Sequence, residues 1–338
     1  MLAYIIRRLL IGVLSLIGVS ILAFTLTRVV PSSPADMWMG PRATPEQIER
    51  AHIELGLNKP LPVQYGLYMA GFLKGDWGTS IVTKQPVLRD IGRYLPASIE
   101  LIVFGMILGF AVGIPLGVFT AAKSGTGLDH ASRIVSITGV ALPSFWLAMI
   151  LQLLLGKMLS LFPISGRVDV MVEIMDPVQR ITGFFFVDTL LTGNWVAFRD
   201  AFWHIILPGI TLAVYPLGLA ARLVRTTMLE VLGEDYIRTA RASGIKESQV
   251  LSIYALRNAL GPIVTVAVLT FGYSLVSTFL IESLFAWPGL GRYSAKAIIS
   301  VDYPAIMGVT LLIAMTYVIL NLAADLLQAF LDPRIRLS

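Results

Sequence analysis

An all-α, polytopic membrane protein with about six transmembrane helices is the fold this sequence predicts, and three observations predict it. The 338 residues are 56% hydrophobic and only 14% charged, whereas soluble domains carry roughly a quarter charged residues. The mean hydropathy is +0.78, more apolar surface than a water-soluble core of this length can hide. Six long stretches contain no Asp, Glu, Lys or Arg. Each is near the ~20 residues that a helix needs to cross ~30 Å of hydrocarbon.

The stretches are Leu9–Thr27, Leu101–Ala122, Ile134–Gly156, Ala201–Ala221, Asn258–Ile281 and Tyr303–Ala324. A charge at the centre of any of them would cost about 2.5–3.5 kcal/mol on the insertion scale, so the absence of charge carries information. The first follows Arg7 and Arg8, as a signal peptide would. Its apolar run is longer than a signal core and no Ala-x-Ala-like site follows, so a retained helix is expected. Gly105, Gly109, Gly113 and Gly117 recur every four residues on the second helix. Such a strip lets another helix pack closely; a strip lining a solute path is the alternative. The fourth stretch is the weakest, because it holds His204, Pro208 and Pro216, and neighbours must satisfy the carbonyls its prolines leave free. Gly261-Pro262 predicts a kink near the start of the fifth helix.

The segments between them are expected to fold as follows. Pro31-Ser32-Ser33-Pro34 stops the first helix. Thr44-Pro45-Glu46-Gln47 reads as an N-cap with proline at the first helical position, opening a helix through Ile48 and Ala51 to a Gly56 cap. Pro60 and Pro62 make a turn, Val63–Leu73 is helix-like, and Gly75-Asp76-Trp77-Gly78 is a loop. The residues from Arg28 to Glu100 therefore look like a small folded insert, and Lys157–Asp200 is a second polar segment of mixed charge. Trp287-Pro288-Gly289 predicts a turn at the membrane interface, where Trp is common. The chain then divides into an N-terminal helix (1–30), an extracytoplasmic insert (31–95), a transmembrane domain (96–329) with a cytoplasmic loop at 222–257, and a cytoplasmic tail (330–338).

Charge sets the expected orientation. With the N-terminus inside, the cytoplasmic segments 1–8, 123–133, 222–257 and 325–338 carry twelve basic and seven acidic residues, the whole net charge of +5. Both termini are therefore expected in the cytoplasm, and the positive charge reflects those loops rather than nucleic-acid binding. The absence of cysteine excludes disulfides, thiolate metal sites and cysteine nucleophiles. His52, His130 and His204 stand singly, without metal-ligand spacing. No Gly-x-x-x-x-Gly-Lys-Ser/Thr loop is present, so this chain is expected to hold no nucleotide or other cofactor of its own.

The loop 222–257 carries the most functional information. Gly233 and Gly244 bracket a short helix from Glu234 to Ser243, with Glu234 and Asp235 at its start and Arg238 and Arg241 towards its end, the order its macrodipole favours. Tyr236, Ala240 and Gly244 fall on one face at i, i+4 and i+8, where small residues would let another surface approach. Lys246-Glu247-Ser248 opens a second helix into the fifth span. Such a protruding helix can dock in a partner's groove; resting on the bilayer or on its own bundle is the other reading. Glu282, Asp302 and Asp325 sit at the edges of apolar stretches, where a carboxylate can either reach the headgroups or face a solute path.

The run Tyr236–Leu260 resembles the cytoplasmic coupling motif of ABC importer permeases, in general form Glu-Ala-Ala, three residues, Gly, nine residues, Ile-x-Leu-Pro. Arg238, Thr239 and Ala240 occupy the first three positions, Gly244 matches the glycine, and Tyr254, Leu256 and Arg257 stand at the last. Only Ala240, Gly244 and Leu256 match the general form, but the wording is similar to that of the dipeptide, oligopeptide and nickel permeases. Leu95–Leu101, Gly113–Gly117, Leu142-Pro143-Ser144-Phe145-Trp146, Phe285–Arg292, Asp302-Tyr303-Pro304, Asp332–Arg336 and Tyr4–Leu9 extend the likeness over nearly the whole chain. The long first insert resembles that of the first of the two permeases in such systems. The resemblance implies a homologous second permease, two ATPase subunits and an extracytoplasmic solute-binding protein as partners, within membrane lipid. It assigns ATPase coupling to Glu234, Asp235, Tyr236, Arg238, Thr239, Ala240, Arg241 and Gly244. It leaves peptides, oligosaccharides, glutathione and nickel complexes open as solutes. An ion-coupled secondary transporter would need inverted repeats and midplane charges, and an intramembrane enzyme would need paired acids or a Ser–His pair inside the spans. Neither pattern is evident in the sequence.

Overall fold

The computed structural model describes residues 2–29, 44–54 and 58–331. The proline stop at 31–34, the Gly56 cap and the Asp332–Arg336 motif lie outside those residues. The described chain is helical, with long apolar helices α1 (Leu2–Val29), α4 (Val87–Ala122), α9 (Trp195–Leu232), α11 (Leu256–Leu284) and α13 (Tyr303–Leu331). Short helices join them: α2 (Pro45–Glu54), α3 (Leu61–Leu73), α7 (Val170–Met175), α8 (Phe185–Thr192), α10 (Asp235–Ala242) and α12 (Leu290–Ile299).

The third apolar stretch is not one straight helix. It divides into α5 (Gly127–Ala141) and α6 (Ser144–Leu151), which continues as a π-helical turn over Gln152–Met158. The two arms meet at 103°. Pro143 is the cause: it has no N–H to give the preceding turn, and it drives Leu142 to an extended ψ of 130°. α4 begins fourteen residues before its charge-free stretch, running through Pro96 and across the expected boundary at residue 95 without a break.

The stretch that looked weakest from sequence forms the centre. In α9, 67% of the most apolar window is buried, against 17% to 33% in the other four long helices. Pro208 and Pro216 lie inside it, both buried among neighbouring helices. The glycine strip explains how α4 lies so close. A Cβ at Gly109 would stand 2.7 Å from the Ala213 carbonyl oxygen, at Gly113 2.7 Å from that of Leu217, and at Gly117 2.6 Å from Val224 Cβ. All these neighbours belong to α9, so the strip is a packing seam.

α1 lies against α13. Gly12 faces Val318, and Arg8 Nη2 donates to Asp325 Oδ1 at 3.2 Å. Asp325 is thus an inter-helix ion-pair partner. α2 opens with Thr44 and Gln47 exchanging hydrogen bonds, each side chain meeting the other's backbone N–H. α3 is tied to α1 by Ser20 and Tyr65, whose hydroxyls are 2.7 Å apart. α11 is reached through a turn at Glu247–Gln249 and a π-helical turn at Val250–Ala255, with Pro262 inside the helix.

Candidate functional site

α10 stands at the end of the bundle where α9 stops and α11 starts. Ile237 is fully buried and Ala240 nearly so, packed with Val224, Met228, Val250, Ala255 and Ala259. A single strong apolar residue in an eight-residue helix sets its rotation, and Ala240, three positions on, turns inward with it. Ala240 therefore belongs to the inner stripe, not to a common outer face with Tyr236 and Gly244, which corrects the sequence expectation. The outward side carries Glu234, Asp235, Tyr236, Arg238, Thr239, Arg241 and Gly244.

These outward residues are held in distinct ways. Asp235 pairs with Arg238 at 3.2 Å in full exposure. Thr239 Oγ1 donates back to the Asp235 carbonyl at 3.0 Å. Arg241 grips Glu247 with two hydrogen bonds of 2.7 and 3.1 Å, clamping α10 to the turn that leads into α11. The Tyr236 hydroxyl accepts from Asn258 Nδ2 at 2.8 Å. Gly244 has φ +77°, and its N–H donates to the Arg241 carbonyl at 3.0 Å. That left-handed C-terminal position favours glycine, and open space surrounds it.

Sequence reasoning missed the tie behind this helix. Arg225 on α9 makes two bonds of 2.7 and 2.9 Å to the wholly buried Asp129, joining α9 to the start of α5. Both residues fell in segments expected on one side of the membrane, but 96 positions separate them and nothing in the sequence pairs them.

At the opposite end of the bundle, Glu282 accepts from Ser98 Oγ at 2.6 Å and from the backbone N–H groups of Gly291 and Arg292 at 2.7 and 3.1 Å. It is fully buried among these three donors. Trp287 is likewise fully buried and donates its indole N–H to the Ala97 carbonyl at 2.9 Å. The expected turn is present, with the Gly289 N–H donating to the Trp287 carbonyl at 2.8 Å, and the indole is packed inside the protein rather than presented to lipid. Asp302 accepts from Ser80 Oγ at 2.5 Å, Val82 N–H at 3.1 Å and Ala305 N–H at 3.3 Å, fixing the loop after α3 to the start of α13.

A cavity of about 490 Å3 opens beside this latch, lined in part by Arg93, Arg180, Arg292 and Lys296. Three carboxylates, Glu173, Asp188 and Asp302, stand against these four and Arg167, and Asp188 and Asp302 are already engaged. Burial works against the charge on Asp188. Bonds from Thr182 Oγ1 at 2.6 Å, Thr182 N–H at 2.7 Å and Gly183 N–H at 3.1 Å outweigh it and hold the carboxyl below its ordinary value. The cavity wall is therefore basic on balance.

A multi-pass helical membrane protein that carries a short polar helix on buried anchors is the class this fold defines. The chain belongs to the family of binding-protein-dependent transport system inner membrane components. That family's model matches residues 113–337, and the model for the N-terminal part of such membrane components matches residues 1–102. Similar proteins include the probable D,D-dipeptide transport system permease protein DdpB of Escherichia coli, 42% identical over 96% of this chain and 94% of that protein. The dipeptide transport system permease protein DppB of Alkalihalophilus pseudofirmus is 40% identical over 99% and 100%. The oligopeptide transport system permease protein AppB of Bacillus subtilis is 37% identical over 99% of each. The likeness to ABC importer permeases read from scattered motifs thus extends along the whole chain.

Proposed function

We propose that this chain is the membrane-spanning subunit of an ATP-driven importer. With a homologous second permease, it forms the path for di- or oligopeptides handed over by an extracytoplasmic binding protein. Two ATPase subunits bind ATP and magnesium and dock on α10. The observation that carries this reading is the construction of α10. Ile237 and the Arg241–Glu247 clamp fix it to both α9 and α11, while its polar side is left uncovered. A push on that side is transmitted to two membrane helices at once. Such coupling needs ATP to favour one transporter conformation over another.

Five long helices and the bent α5–α6 pair give six crossings if the pair spans the membrane. Both termini and α10 then share the cytoplasmic side, where the excess of Arg and Lys lies. The peptide reading rests on what the similar permeases are named for, and the basic cavity at the far end suits the handover of a solute or partner with acidic groups. Glu282 and Asp302 act as latches that position this end, and no solute contact is assigned to them. The test is reconstitution of all five subunits in proteoliposomes with labelled dipeptide. ATP-dependent uptake that disappears without the ATPases is expected; uptake by the permeases alone, driven by an ion gradient, would overturn the reading.

A further inference from the structure

A second cavity, of about 320 Å3, lies where α5 breaks from α6, between α9 and α11. It is at the small end of the ~300–1,000 Å3 range typical of ligand pockets. Three elements put it near mid-membrane. Ser144 sits at the bend of the broken pair, Thr211 and Tyr215 in the middle of α9, and Tyr273, Ser274 and Ser277 in the second half of the apolar run of α11. Not one of its lining residues is charged, and its polar groups are hydroxyls. The Tyr215 and Tyr273 rings lie 4.9 Å apart. Thr211 and Ser277 spend their hydroxyls on their own helices. Among the described residues, no protein group holds the hydroxyls of Ser144, Tyr215, Tyr273 or Ser274.

Uncommitted hydroxyls and a non-helical backbone at membrane depth are tolerated where they line a water-filled cavity. A charged group there would be costly, so the wall suits a polar but uncharged part of a solute. A peptide linkage is such a part: its N–H can donate to a tyrosine oxygen, and its carbonyl can accept from a hydroxyl.

From this geometry we infer that the cavity is a subsite on the solute path. It takes the uncharged amide linkage of a peptide, with Tyr215 and Tyr273 as its contacts. The inference rests on the peptide-importer reading above and adds where, and through which group, the membrane domain meets the solute. It predicts indifference to the solute's side chains at this point, because only the backbone amide is read.

The test uses the complete reconstituted transporter, with dialanine and its ester-linked analogue each supplied at concentrations that saturate the binding protein. Tyr215→Phe and Tyr273→Phe keep the rings and delete the hydroxyls. Each is expected to slow dialanine about fivefold, the worth of one hydrogen bond. The variant that removes the acceptor of the N–H leaves the ester, which lacks that group, unchanged, whereas the one that removes the donor to the carbonyl slows both. Equal slowing of both solutes by both variants, or slowing by neither, overturns the subsite. Because the chain has no cysteine, Ser144→Cys gives a second reading that needs no transport. A water-soluble methanethiosulfonate should label it in the assembled complex, and dialanine should protect it. An unreactive thiol would mean that lipid or the sister subunit fills the cavity, and the inference would fail. If the unaltered transporter moves no peptide at all, the importer reading falls and the subsite with it. Normal peptide uptake with both variants unselective removes the subsite alone.

Discussion

Gly113→Ala puts one methyl group into the seam between α4 and α9, where the structure leaves it nowhere to go. The new Cβ would lie 2.7 Å from the Leu217 carbonyl oxygen, 2.9 Å from Ala220 Cβ and 3.2 Å from Leu217 Cα. Two of these are backbone atoms, so no rotamer change relieves the contact and the helices must move apart. Overpacking of this kind costs about 1–3 kcal/mol. Alanine also gains up to ~1 kcal/mol of helix propensity over glycine, which would mask part of the cost. Gly18→Ala on α1 supplies the control, because nothing lies within 4 Å of its Cβ. The propensity gain is common to both, so the difference between them isolates the clash. Denaturant unfolding of the purified protein in detergent should place the Gly113 variant about 1–3 kcal/mol below the Gly18 variant. Equal stability would refute the claim that the glycine strip is a packing seam.

Glu282→Ala leaves the N–H groups of Gly291 and Arg292 without their acceptor. A loss of about 2–6 kcal/mol is expected, with new protease cleavage in the 285–292 loop. Ile237→Ala removes the anchor of α10 at a cost of about 2–5 kcal/mol. It should leave the ATPases bound but weaken the link between ATP hydrolysis and uptake, read as fewer solutes moved per ATP. The Asp188 carboxyl, held below its ordinary value, stabilises the segment around α8 fully above the unfolded value of ~3.9. That contribution is lost as the pH falls through the lower folded value. Hydrogen exchange at Thr182 and Gly183 should therefore rise in acid, and Asp188→Asn should raise it already at neutral pH.

Much of this molecule is legible in its sequence because lipid imposes a simple rule. The absence of charge locates the spans, and the four-residue glycine spacing locates the closest helix contact. The short helix at 235–242 is legible because Gly233 and Gly244 bracket it and its charges follow the dipole. What was hidden depends on tertiary direction. α9 looked weakest for its prolines and histidine, yet central burial lets neighbours absorb them. Pro143 was in plain view inside an apolar run, but its 103° consequence depends on the space around the bend. The rotation of α10, the Asp129–Arg225 pair and the burial of Trp287 and Glu282 all join residues far apart in the chain, and no local pattern encodes such contacts.

The most direct test of the coupling claim is a single cysteine at Ser243, the exposed residue that caps α10, in a chain that otherwise has none. A membrane-impermeant thiol reagent should reach it from the cytoplasmic side of inverted vesicles, and lose access when the ATPase subunits are bound. Labelling from the outside of intact cells, or equal labelling with and without the ATPases, would contradict the account.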